Sequence, residues 1–243
     1  ADLDAFAARL RWRGHFMQKL EDEPELEVRN GHRAYDGLRT EAPEAWRPAE
    51  RARFEAWRAA RTGFPMVDAA MRCLWRTGWI NFRMRAMLAS FATHHLWLHW
   101  RAPAVALAPH FLDFEPGIHF AQFQMQAGTM GINQTRVYNV VKQAEEQDPE
   151  GRFIRRWLPE LEAVPRAYLP APHRMPADLQ RKVGCIIGRH YPAPVVDHDR
   201  AARHARSKLE AIKRGAAHRA ESARVQDRHG SRMSAPRRRR TLG

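Results

Sequence analysis

The stretch that most limits the fold runs from Trp79 to Trp100, where apolar residues fall on nearly every side of any helix drawn through it. A helix without a polar face must be buried all round. This predicts a long central helix over 79–100, with other helices packed around it. Arg83 and Arg85 lie inside it, and a guanidinium there is costly unless a carboxylate pairs with it. Just upstream, PMVDAAMRCLWRTG reads as a short amphipathic helix. Met66, Ala70, Cys73 and Leu74 form its inner stripe, Asp68 and Arg72 lie outside at i,i+4, and Gly78 stops it. RTGFP at 61–65 is a turn.

The rest of the chain supports the same class. Val, Ile and Thr are sparse while Ala, Leu, Arg and Glu are plentiful, which favours helix over sheet. Residues 2–20 predict a helix with Phe6, Leu10, Phe16, Met17 and Leu20 near one face, and EDEPELE at 21–27 closes it as a solvated turn. Residues 28–50 are irregular, and 49–60 form a polar helix that includes Trp57. DPEG at 148–151 suits a type I turn. Further helices are expected over 175–188 and 198–220. The expected fold is all-α, with a folded domain over 1–216 and a basic disordered tail over 217–243.

Charge and cysteine narrow the setting. From Arg200 onward, 14 basic residues face 3 acidic ones, which accounts for most of the net +14. The basic tail predicts non-specific attraction to polyanions, not a DNA-reading surface on the folded part. Cys73 and Cys185 are isolated, as in a reducing compartment. No apolar run approaches the ~20 residues of a membrane span, and no signal-peptide pattern opens the chain. A cytoplasmic monomer is expected. His95 and His99 have an i,i+4 spacing but no third ligand, so no metal is expected.

Four blocks carry a family likeness. TGFPMVDAAMRCLWRTGWINFRMRAMLASF at 62–91, RVYNVVKQAEEQDPEGRFIRRWLPEL at 136–161, YPAPVVDHDRAARHA at 191–205 and RLRWRGHFMQKL at 9–20 resemble, in order and spacing, the flavin domain of photolyases and cryptochromes. The likeness covers about residues 3–210. The antenna domain and the phosphate-holding Thr-Ser-x-x-Ser-Pro-type stretch of full members are not among these 243 residues.

The resemblance implies an FAD cofactor and UV-damaged DNA as partner. It further implies light-driven electron transfer from reduced FAD to a flipped pyrimidine dimer, with DNA holding the protein near the nucleoid. The stretch 113–131 then corresponds to the segment that wraps the flavin ring. Asp113 and Glu115 fall on the flavin-edge acids, Arg85 on the arginine paired with the first of them, His119 on the position beside flavin N5, and Phe82 and Arg13 on further flavin-side positions. Ala127, Gly128 and Gly131 would let backbone approach a planar ring. A histidine with an ordinary pKa of ~6.5 at that place could tune N5, or be a hydrogen-bonded core residue.

Lesion-side positions fall on Trp12, Arg9 and Met125, with Arg136, Asn139 and Gln143 in the lesion pocket or DNA groove and Arg83 and Lys142 near phosphates. Each has a plainer reading as core or solvated surface. Trp100 matches the middle member of an electron-relay chain or is a core tryptophan, and Trp46 matches the outer member with a one-residue slip. Departures from the family are Arg9 for the dimer-contacting Glu, Met125 for a lesion-contacting Trp, Phe123 for the flavin-proximal Trp and His119 for Asn. They leave open a cryptochrome-like photoreceptor without repair, or a flavin-free DNA-binding remnant.

Overall fold

The computed structural model describes residues 2–131 and 136–229. Its helices are α1 (Asp2–Asp22), α2 (Pro48–Arg58), α3 (Pro65–Thr77), α4 (Phe82–Ser90), α5 (Arg101–Leu107), α6 (Pro116–Ala127), α7 (Val140–Gln147), α8 (Arg152–Trp157), α9 (Ala177–Lys182), α10 (His198–Lys213) and α11 (Ala216–His229), with short 3-10 turns between them. Among the described residues there is no β-strand, only an isolated bridge between Ile187 and Tyr191. The fold is all-α, as the composition predicts.

The expected long helix over 79–100 is instead a shorter helix, α4, that runs into a π-turn. Asn81 caps α4, its side-chain oxygen accepting from the Met84 N–H at 3.0 Å. After Ser90 the chain widens into a π-turn, Phe91–His95, in which the Leu96 N–H reaches back to the Phe91 carbonyl. Trp97 then adopts φ 58°, a left-handed conformation that ends the helix. Burial follows expectation from Ala86 through Leu96 but fails at the start, where Phe82 is 62% exposed and Arg83 is exposed.

α3 packs against α4, α7 and α8. Met66, Ala70 and Leu74 are buried as predicted, Cys73 is half-buried, and Gly78 ends the helix at φ 70°. Asp68 corrects the sequence reading. It is fully buried, not on the outer face. Its carboxylate accepts from the Thr62 N–H (2.9 Å), the Thr62 hydroxyl (2.6 Å), the Gly63 N–H (3.1 Å) and the Tyr191 hydroxyl (2.5 Å). Arg72 pairs with Glu160. Burial pushes the Asp68 carboxyl up, and these hydrogen bonds oppose that shift. The knot fastens the 62–63 turn and residue 191 onto α3. Gly63 permits it, because a Cβ there would lie 2.5 Å from the Pro194 backbone nitrogen.

Two ends of the chain also differ from expectation. On α1 only Phe16 and Lys19 are buried, while Leu3, Phe6 and Leu10 are 82%, 62% and 51% exposed. The predicted stripe is therefore used only at its C-terminal end. Order continues past 217, because α11 is helical to His229. Its His218 ring stacks on His32 at 4.3 Å and meets the Tyr35 hydroxyl at 3.2 Å, and Val225 is buried. Arginines 237–240 lie outside the described residues. DPEG forms its turn, with Gly151 N–H to Asp148 O at 2.8 Å, and the Asp148 carboxylate caps the start of α8.

Replacing Asp68 by Ala strands four buried donors and should cost about 3 kcal/mol or more, whereas Tyr191→Phe should cost about 1–2 kcal/mol. Urea unfolding midpoints of the two variants check this ordering, and equal losses would contradict it.

Candidate functional site

A cavity of about 270 Å³ opens between α4, residues 111–115 and α6. Its aromatic lining comes from Trp79, Phe82, Phe111, Phe114 and Phe123, and its polar groups are Arg85, Asp113, Glu115, His119, Gln122 and Gln126. Aromatic walls with a few convergent polar groups are what a planar, heteroatom-rich ligand requires. The volume lies at the small end for ligand pockets (~300–1,000 Å³), enough for a ring system but not for a whole dinucleotide.

Arg85 organises the mouth. One terminal nitrogen, Nη2, donates to both Asp113 oxygens, at 2.8 and 2.7 Å, and Nε donates to the Ile80 carbonyl at 3.0 Å. The guanidinium carbon sits 4.2 Å over the Phe111 ring. The carboxylate partner demanded by an arginine in this helix is thus Asp113, as the sequence reading anticipated. The pair is shallower than expected, since the Arg85 side chain is 28% exposed and that of Asp113 51%. Glu115 caps α6 by accepting from the Gly117 N–H at 3.3 Å. Gly117 must be glycine, because a Cβ would lie 2.6 Å from the Phe16 carbonyl where α1 crosses α6.

His119 lies deeper. Its Nε2 donates to the Ala104 carbonyl at 2.8 Å, and the rings of Phe111, Phe114 and Phe123 surround it at 5.7, 5.2 and 5.0 Å. Burial pushes its pKa down to about 4. The Ala104 bond opposes that shift, and Arg85 reinforces it. The sequence expectation of titration near neutrality is therefore corrected. At pH 7 the ring is neutral, with Nδ1 left as an acceptor.

Five of the six residues anticipated for the flavin side, Phe82, Arg85, Asp113, Glu115 and His119, come together in this lining. Arg13 does not; it is exposed on α1, as are Arg9 and Trp12. The Trp12 ring lies 5.6 Å from Phe16. Met125 is half-buried against a small core cluster of Phe16, Leu26, Ala121 and Met130. Arg83 and Gln143 share a neighbouring cleft with Asn81 and Phe82, so Phe82 divides cleft from cavity. Asn139 caps α7 by accepting from the Lys142 N–H, and the Arg136 carbonyl accepts from Ser90.

Trp100 is fully buried and donates to Asn30 at 2.9 Å, and its ring reaches His119 only through Phe120. Ala127, Gly128 and Gly131 serve the end of α6 and not the cavity. Gly128 is its left-handed cap, and Gly131 gives way to His32. His95 and His99 face different partners, Phe91 with His198 and Trp100 respectively. Among the described residues no three metal-ligating side chains cluster.

Gln122 was missed by sequence reasoning. Its Oε1 is buried, lacks a hydrogen-bond partner and lies in the cavity wall. An unsatisfied acceptor beside aromatic walls fits a flat ligand that carries a ring N–H donor, such as an isoalloxazine. The family model for the FAD binding domain of DNA photolyase matches residues 6–211. The chain belongs to the photolyase and cryptochrome family.

Its flavin domain has FAD as cofactor. A deoxyribodipyrimidine photo-lyase of Agrobacterium fabrum is 34% identical over 216 residues, covering 88% of this chain and 43% of the relative. A cryptochrome DASH of Gloeobacter violaceus is 38% identical over 146 residues, covering 60% of this chain and 29% of the relative. A crystal structure of a bacterial class III photolyase from Agrobacterium tumefaciens superposes with a TM-score of 0.77 at 33% identity, over 88% of this chain and 43% of that one. The chain therefore spans less than half the length of these relatives. Among the described residues no helix is long and apolar enough to cross a membrane.

Four buried histidines give the domain an acid-side weakness. His95 is lowered to about 3, His99 and His119 to about 4, and His94 well below its ordinary value, in each case chiefly by burial. The unfolded chain takes up these protons near pH 6.5 and the folded chain does not, so stability falls as pH drops from about 6.5 toward 4. At pH 5 the loss is about 2 kcal/mol for each histidine whose shift is fully expressed. His119→Gln should flatten the slope of unfolding free energy against pH by about one proton. An unchanged slope would contradict the neutral assignment.

Proposed function

We propose that this chain forms the flavin-ring and lesion-facing part of a light-dependent DNA repair enzyme of the deoxyribodipyrimidine photolyase type. The observation that carries the reading is the aromatic cavity closed by the Arg85–Asp113 pair, with the unsatisfied Gln122 acceptor in its wall. When bound, reduced FAD supplies a light-absorbing one-electron donor. Arg85, Asp113, Glu115 and His119 would hold and orient its ring edge, while Phe82, Phe111, Phe114 and Phe123 exclude water. His119, neutral and fixed through Ala104, offers a lone pair at Nδ1 without adding charge.

DNA would be met from α1 and the neighbouring cleft. Trp12, 56% exposed, gives a stacking surface for a flipped base. Arg9, Arg13, Arg83 and Arg136 are exposed cations suited to phosphates, Gln143 lines the cleft, and Asn139 caps the helix that carries Gln143. Trp100 is the oxidisable ring that would relay an electron, but Phe120, His119 and Phe123 stand between it and the cavity and are too hard to oxidise to act as stations, so the relay is interrupted there.

A second reading, a cryptochrome-like photoreceptor without repair, is favoured by one observation. Met125, at a lesion-contacting place, packs into a core cluster with Phe16 and Leu26 and so contributes to the interior.

Titration of FAD into the protein, followed by blue-light exposure with UV-irradiated oligonucleotide, separates the readings. Repair predicts FAD binding and light-dependent loss of dimers; the photoreceptor predicts binding without loss; a flavin-free remnant predicts neither. Arg85→Gln should weaken FAD binding about 10- to 100-fold, the worth of a charge-assisted hydrogen-bonded pair. Trp12→Ala should weaken damaged-DNA binding about 5- to 100-fold with FAD affinity unchanged.

A further inference from the structure

A second and larger cleft, about 970 Å³, shares no lining residue with the flavin cavity. It lies between the start of α2 (Arg47, Pro48, Ala49, Ala52, Arg53), the π-turn with Trp97, and the start of α10 (Asp197, Arg200, Ala201, His204), with Val195 and Val196 along one side. We propose that it binds a phosphate-bearing small anion of nucleotide size.

The first support is an orphaned group. His95 is 1% exposed, lines the cleft, and has neither ring nitrogen hydrogen-bonded. Its neighbour His94 is satisfied, meeting an Arg39 nitrogen at 3.3 Å and the Gln126 carbonyl at 2.8 Å. Stacking between Phe91 (5.1 Å) and His198 (4.6 Å) holds the His95 ring in plane. A buried polar group without a partner costs about 1–3 kcal/mol, so a ligand that engages it gains that amount back. A neutral imidazole has one donor and one acceptor, which match a phosphate oxygen and a hydroxyl.

The second support is charge. Arg47, Arg53 and Arg200 line the cleft against one acid, Asp197. Asp197 is engaged in capping α10 at the Arg200 N–H (2.8 Å), and Arg47 is partly neutralised by Glu50 at 3.1 Å. Burial lowers Arg53 below its ordinary range; Glu50 opposes that shift, and the nearby Arg47 adds to it more weakly. Arg206 adds positive potential at His94 and His95. The starts of α2 and α10, 11 and 16 residues long, both border the cleft and favour negative charge there.

The third support is shape. Beside the cations runs an apolar wall of Val195, Val196, Pro48, Ala52 and the half-buried Trp97. Inorganic phosphate would leave that wall unused, whereas a heterocycle attached to the phosphate would cover it.

Calorimetric titration of the whole chain with adenosine 5′-monophosphate, adenosine and inorganic phosphate tests the assignment. The monophosphate should bind at least 10-fold more tightly than either fragment. Arg53→Ala/Arg200→Ala, at one half-buried and one exposed position, should weaken it at least 10-fold while the circular dichroism spectrum and flavin content match the parent chain. His95→Phe keeps the stacked ring and should weaken binding several-fold. The proposal is overturned if the folded protein binds no monophosphate, if the double variant binds it unchanged, or if phosphate alone binds equally well. Binding lost in Arg85→Gln but retained in the double variant would place the ligand in the flavin cavity and overturn it too.

Discussion

One guanidinium connects the two walls of the aromatic cavity. Arg85 rises from the first turns of α4, lies flat on Phe111 and reaches both oxygens of Asp113 across 28 residues of chain. An arginine turned toward the interior of this helix costs free energy without such a partner. Pairing it fixes residues 111–115 against α4, and α6 departs from that segment at the Glu115 cap. The aromatic side chains of 111–123 thereby face α4 across a gap. The same contact that satisfies the arginine creates the cavity.

Packing behind the cavity is tight and its histidines are neutral. Gly117 allows α1 to cross α6 at backbone distance, and His119 is anchored to α5 through the Ala104 carbonyl. The π-turn brings His94 and His95 inside. Each of these histidines is held uncharged by burial and so adds no positive charge to the interior. Arg39 is the exception: it is buried, its guanidinium lies over Trp97, and it donates to the Thr93 and Ala127 carbonyls. On the far side the π-turn floors the basic cleft through His94 and His95, while the helix that leads into it, α4, lines the aromatic cavity.

Much of this was legible because it is local. The stripe of α3, the Gly78 stop, the DPEG turn and the need of Arg85 for a carboxylate all follow from spacing. The acid pair before α6 and the histidine after it were located through the family likeness, and the geometry groups them. What stayed hidden depends on partners far along the chain. Asp68 looked solvent-facing because Arg72 stands at i,i+4, yet its partners include Tyr191, 123 residues away, while Arg72 turns to Glu160. The order of α11 depends on His32 and Tyr35 meeting His218, which no tail composition encodes. The break at 91–97 was invisible because an apolar run does not distinguish i→i+4 from i→i+5 bonding. The pKa of His119 is set by burial that spacing alone does not reveal.

The central claim is that the chain's own α4 and 111–126 segment embrace the flavin ring. Amide hydrogen exchange with and without saturating FAD tests it most directly. Slowed exchange is expected to concentrate in residues 80–90 and 111–126, with α9 to α11 unchanged. Unchanged exchange in those two segments, or protection confined to the α2–α10 cleft, would contradict it.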